Sequence, residues 1–167
     1  MKDERGDRMK GGTGTPATKA LHAAGVAFTL HAYEHDPAVT DYGREAVRLL
    51  GLDPQQVFKT LIVETGPGLA VGVVPVAGML DLKAMARALG VKKVELTSPK
   101  IAATSSGYVV GGISPIAQKT PLPTLVDETA TLFDTIFVSA GRRGLDVELA
   151  PADLLAVTGG RFADIAR

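Results

Sequence analysis

The segment VFKTLIVE, residues 57–64, places a lysine where strand alternation expects an apolar side chain. Val57, Lys59, Leu61 and Val63 share one face of such a strand, and Phe58, Thr60 and Ile62 share the other. An ammonium on an apolar face is costly unless a partner or a pocket receives it. In a pocket it stabilises negative charge, on a phosphate or on an oxygen that gains charge during a reaction. On an edge strand the same side chain lays its stem on apolar surface and carries its head to water. The residues alone leave both readings open.

A second candidate is GYVVGGISPIAQKTPLP, residues 107–123, where an apolar run breaks into paired glycines, a serine and a proline. Gly111 and Gly112 let a ligand approach the main chain and leave amide N–H groups to donate to an oxyanion or a ribose-phosphate edge. Ser114 adds a hydroxyl and Pro115 fixes the exit of the loop. A bulge and tight turn between strands would use the same residues.

Other groups argue less strongly. Gly141-Arg-Arg-Gly144, between Ser139 and Asp146, could present two guanidinium groups to phosphates or form a solvated hairpin tip. Asp146 and Glu148 share one strand face, as exposed polar residues do. His31, Tyr33 and His35 fall on one face of an extended segment, but the other histidine, His22, gives no metal-ligand spacing, and no metal or other cofactor is expected. Gly11-Gly-Thr-Gly14 lacks the Lys-Ser/Thr of a phosphate loop. No serine stands in a nucleophile-elbow pattern, and the chain has no cysteine.

The elements that must position these residues follow from periodicity and punctuation. Residues 1–14 are charged and glycine-rich and read as a leader. Thr15-Pro16, Asp41, Asp81, Ser98-Pro99 and Pro151 open helices, and glycines 25, 51, 90 and 107 close four of them. Strands are expected at 28–33, 57–64, 69–76, 94–96, 108–110, 124–126, 135–139 and 145–149. Residues 69–76 are apolar on both faces and so belong at a sheet centre. This is an α+β pattern with a largely antiparallel sheet in one domain, residues 15–167.

The 18 basic and 18 acidic residues cancel. A protein that grips many phosphates unaided is usually basic, so any nucleic acid must be held by a local patch or with help. No apolar stretch reaches the ~18 residues of a membrane span. A cytoplasmic, monomeric protein is expected.

Taken in order, TPATKAL, HAYEHDP, VFKTLIV, VVPVAGMLDLKAMARALG, GYVVGGISPIAQK, LPTLVDE, VSAGRRGLDVELAP and FADIAR resemble the YbaK/EbsC family, in its Cys-tRNA(Pro) deacylase branch. The resemblance runs from about residue 15 to 167. It implies the editing-domain fold of some prolyl-tRNA synthetases, a curved, mostly antiparallel, barrel-like sheet with surrounding helices. It implies removal of cysteine mischarged on tRNA(Pro), with the acceptor end of that tRNA as partner and prolyl-tRNA synthetase presenting it.

The family's essential lysine falls on Lys59, with Thr60 beside it, and its Gly-x-x-x-Pro loop on Gly111, Gly112, Ile113, Ser114 and Pro115. Tyr33, Ser139 and Asp146 match pocket positions. Ala117 and Ala140 stand where family members often carry glycine, and the methyl of Ala140 either narrows the pocket or fills a void. The resemblance further implies that the substrate's own thiol attacks its ester. A water-using deacylase for alanine or another small amino acid, and a non-catalytic module binding tRNA ends or nucleotides, are the alternatives. Candidate phosphate contacts are Lys92, Lys93, Lys100, Lys119, Arg142 and Arg143.

Overall fold

The computed structural model describes residues 14–167. The expected leader, and with it the Gly11–Gly14 segment, lies outside the described residues apart from Gly14. In chain order the elements are α1 (Pro16–Ala24), β1 (Phe28–Ala32), α2 (Tyr42–Leu50), β2 (Phe58–Glu64), β3 (Leu69–Pro75), α3 (Leu82–Leu89), β4 (Glu95–Leu96), α4 (Pro99–Ser106) and β5 (Thr124–Asp127). A 3-10 turn (Glu128–Leu132), β6 (Ile136–Arg142), β7 (Leu145–Leu149), α5 (Pro151–Thr158) and β8 (Arg161–Ala163) follow. No described helix is long and apolar enough to cross a membrane.

The helix starts follow from side-chain chemistry. Thr15, Asp41, Asp81 and Ser98 each accept a hydrogen bond from the amide three residues on, at Thr18, Arg44, Ala84 and Ile101. Each of these bonds satisfies an amide that the first helical turn leaves unpaired.

The strands form two hydrogen-bonded sheets, β1-β7-β6 and β4-β2-β3-β5-β8, joined by a bridge between Val57 and Phe137. Four of the six strand pairings are antiparallel; β3–β5 and β5–β8 are parallel. β3 lies at the centre of its sheet, as its two apolar faces require. Val71 and Val73 enter one core with Phe58, Ile62 and Val138, while Ala70 and Val74 enter another with Met85 and Ile165.

Two details depart from the sequence reading. Residues 108–110 form no strand. The chain turns there instead, Gly112 N–H donating to Val109 O at 2.9 Å, while Tyr108 buries its ring and donates its hydroxyl to Ile116 O at 2.6 Å. Of the three apolar residues before the paired glycines only Tyr108 is buried, and Val109 is 55% exposed. β8 was not anticipated, because three residues carry too little alternation. Buried Asp127 secures the chain beyond it, accepting from the amides of Ile165 and Ala166 at 3.0 and 2.9 Å.

Ala117 is the one non-glycine described residue at positive φ, 55°. A left-handed alanine costs roughly 1–2 kcal/mol. Its side chain is exposed, so little packing is at stake. Ala117→Gly is expected to stabilise the fold by about 0.5–1 kcal/mol after the extra chain entropy of glycine is subtracted. Urea unfolding checks this: the midpoint should rise at constant m, and a lower midpoint contradicts the account.

Candidate active site

β4 pairs with β2 only at Val63 and Glu64, so the edge of β2 before them has no strand partner on that side. A cavity of about 350 Å³ lies along this open edge. Ile62 O accepts from Thr97 N at 3.0 Å on the β4 side. By alternation Thr60, two residues earlier, turns its own N–H and C=O to the same side, towards the cavity it lines. The Thr60 hydroxyl is buried without a hydrogen-bond partner among the described residues.

Lys59 lines the cavity and is half-buried. Burial lowers its pKa, the nearby Asp41 carboxylate opposes that shift, and the Arg44 guanidinium adds to it. Among the described residues Lys59 makes no salt bridge. Asp41 sits at the cap of α2 and faces the cavity together with Tyr42. An ammonium half-buried in a cavity, with the Asp41 carboxylate nearby but no salt bridge among the described residues, can meet an anionic ligand.

Opposite stand Ser139 of β6 and Asp146 of β7, which are paired in register, and Tyr33 just beyond β1. Asp146 is only 6% exposed. Its carboxyl makes no hydrogen bond among the described residues, and burial pushes its pKa from 3.8 up to about 7. Burial, followed by the charges of Asp146 and Glu45, raises the Tyr33 phenol, so it stays a neutral donor at ordinary pH. The expectation that Asp146 is exposed beside Glu148 is therefore corrected. Asp146 is closed in at the cavity wall, whereas Glu148 accepts from Thr135 and pairs with His31 at 2.9 Å. His35 pairs with buried Glu45 at 2.6 Å, so the two histidines serve separate carboxylates.

Residues 36–157 match the family model described as the aminoacyl-tRNA editing domain. The chain belongs to this editing-domain family. It is 44% identical over 119 residues, 70% of this chain and 71% of the relative, to a protein of Enterococcus faecalis named "Putative Cys-tRNA(Pro)/Cys-tRNA(Cys) deacylase EbsC". It also resembles a crystal structure described as "a putative trans-editing enzyme for prolyl tRNA synthetase", with TM-score 0.77, 25% identity, and coverage of 91% of this chain and 95% of that one. The crystal structure of "hypothetical protein APE2540" matches with TM-score 0.82 and 26% identity over 91% of this chain and 99% of that one.

Of the residues singled out in the sequence, Tyr33, Lys59, Thr60, Gly111, Ile113, Ser139 and Asp146 line the cavity of this editing domain. Gly112, Ser114 and Pro115 are not on its wall. The Gly112 amide is used in the turn to Val109, so it is not a free donor. The Ser114 hydroxyl is fully buried and accepts from Ile116 N at 3.2 Å. Ala140 is buried in the core, its carbonyl accepting from Thr15 Oγ1 at 2.6 Å, so its methyl fills core space and leaves the cavity's width alone. Asp41 and Tyr42 were missed as wall residues. Their signal was a helix cap, and nothing local in the sequence says what a cap faces.

Asp146 sets a pH dependence whose sign is fixed. Its folded pKa lies above the unfolded value, so the native state holds the extra proton between pH 3.8 and about 7. Stability contributed by this group therefore falls as pH rises through that window, and the penalty is complete above it. Asp146→Asn is expected to flatten this fall and to be more stable than the parent at pH 8, by an amount of order 1 kcal/mol or more. Urea midpoints at pH 5 and pH 8 test this, and an unchanged difference between them in the variant would contradict it.

Proposed function

We propose that this editing domain removes cysteine mischarged on tRNA(Pro), acting in trans, with the substrate's own thiol as nucleophile. The observation that carries the reading is the cavity's chemistry. It offers a cation, a buried carboxyl and open backbone, but no nucleophile paired with a base. No histidine lines it, and the Ser139 hydroxyl accepts from Gly141 N at 3.2 Å. A relative bearing a Cys-tRNA deacylase name supports the choice of substrate.

In this mechanism the thiol, with an ordinary pKa of about 8.5, gives up its proton, with Asp146 in its carboxylate form as the acceptor. The sulfur then attacks the ester carbonyl of the same aminoacyl group. Lys59 and the main-chain edge at Thr60 stabilise the carbonyl oxygen as it gains charge. The carbon–oxygen bond to the ribose breaks, the ribose oxygen takes back a proton, and the amino acid leaves as a cyclic thiolactone. Proximity supplies much of the acceleration, because nucleophile and carbonyl belong to one bound group. A synthetase pocket that reads mainly volume separates cysteine from proline poorly, which is why a second site is useful. The neutral charge balance fits a protein to which prolyl-tRNA synthetase presents the acceptor end.

Deacylation of Cys-, Ala- and Ser-tRNA(Pro) side by side tests the reading. Cleavage of the cysteine ester at least ~10²-fold faster than the other two is expected. Equal rates would make water the nucleophile, with Asp146 as its base, and the chain a small-amino-acid deacylase.

A further inference from the structure

A second groove, about 680 Å³, adjoins the cavity and shares Lys59, Leu61 and Leu96 with it. It runs to the start of α3 and to the strip where Met79 and Arg167 exchange main-chain hydrogen bonds at 2.8 and 2.9 Å. We propose that this groove holds the single-stranded 3′ end of an RNA, the nucleotides that lead to the ribose in the cavity. The inference rests on the reading above, that the ester lies at an RNA terminus.

Charge supports it first. The chain as a whole is neutral, yet Lys59, Lys83 and Arg167 line this one groove. Its one acidic side chain, Asp81, is engaged in capping, accepting from Ala84 N at 3.0 Å. The second argument is local. Lys83 stands in the first turn of α3, which has no acidic residue. A cation there opposes the helix dipole, and a bound phosphate would relieve it while meeting the dipole itself.

Apolar surface is the third. Met79 and Leu96 are 58% and 55% exposed on the groove's wall and offer apolar surface for a base to rest on. Arg167 offers a guanidinium plane of the kind on which unstacked bases stack. The phosphate contacts expected from the sequence, Lys92, Lys93, Lys100, Lys119, Arg142 and Arg143, do not line this groove. Arg143 donates to Val110 O, Arg142 to Arg143 O, and Lys93 pairs with Glu95.

The test is fluorescence anisotropy with two labelled RNA hairpins, one with a single-stranded 3′ tail and one blunt. The parent protein should bind the tailed hairpin more tightly. Lys83→Ala and Arg167→Ala should each weaken that binding ~5-fold at 0.1 M salt and reduce the salt slope by about 0.7, the counterion term for one phosphate on a single strand. Lys83→Arg should restore it, and the blunt hairpin should be indifferent to all three.

Equal binding of both hairpins, no binding by the parent, or tail binding indifferent to Lys83 and Arg167 would overturn the groove; an occupant other than RNA, such as a protein partner, gives the last pattern. Deacylation by the parent is measured in parallel. Tail- and Lys83-dependent binding without deacylation leaves the groove standing and removes the catalytic reading. Deacylation without such binding does the reverse.

Discussion

Gly112→Ala is expected to cost about 3 kcal/mol of stability and to lower deacylation ~10²-fold. A Cβ built at Gly112 lies 2.6 Å from Arg142 Cα, 2.7 Å from Arg142 C and 2.8 Å from Arg143 N. All three are backbone atoms of the β6–β7 hairpin, which cannot swing aside as a side chain can. The loop and the hairpin would have to part. That separation undoes the hydrogen bond from Arg143 Nε to Val110 O at 2.8 Å and lifts the Arg143 guanidinium from the Tyr42 ring, which it now covers at 5.3 Å.

Tyr42 in turn packs on Gly111, whose φ of 87° and 2.5 Å clearance also exclude a side chain. The cavity wall at Gly111, Tyr42 and Ile113 would shift together. For a chain of this length ~3 kcal/mol lowers the melting temperature by roughly 6–12 °C. Gly68→Ala is the control, since nothing lies within 4 Å of a Cβ there. If the two variants melt together, close backbone packing is not why residue 112 is glycine.

This also explains what the sequence could and could not tell. Paired glycines correctly signalled close approach to the main chain, but what approaches Gly112 is the protein's own hairpin, and a glycine carries no mark of its neighbour. The helices were legible because most starts are local chemical events, as at Asp41 and Asp81, where a carboxylate meets a free amide, and α5 is opened by Pro151 at its first position. The apolar run of β3 was legible because burial on both faces leaves no polar position. The open edge of β2 was not, because it depends on how few residues β4 spends pairing with it. Asp146 shows the same limit. Alternation put it on a face with Glu148, but Asp146 lies where that face meets the cavity shared with Tyr33 and Lys59, and a strand's own sequence does not say what packs over it.

Lys59→Met is expected to reduce deacylation by ~10²–10³-fold while leaving stability unchanged or slightly raised. The two halves of this prediction share one cause. Burial lowers the Lys59 pKa, so the folded state disfavours its ammonium relative to the unfolded chain. A base with a depressed folded pKa imposes its penalty at every pH below that pKa, neutral pH included, and methionine removes it while keeping the stem's packing. No salt bridge is lost with it among the described residues.

What is lost is the cation beside the open edge at Thr60, where the proposed mechanism puts the ester's carbonyl oxygen. If Lys59 acts on that oxygen, kcat falls and KM changes little, because the interaction strengthens only in the transition state. If it grips a phosphate of the bound end, KM rises and kcat is spared. Single-turnover rates and urea midpoints on the same preparations decide between these. A variant that loses stability along with activity would show that Lys59 is a structural lysine, its stem packed and its head in water.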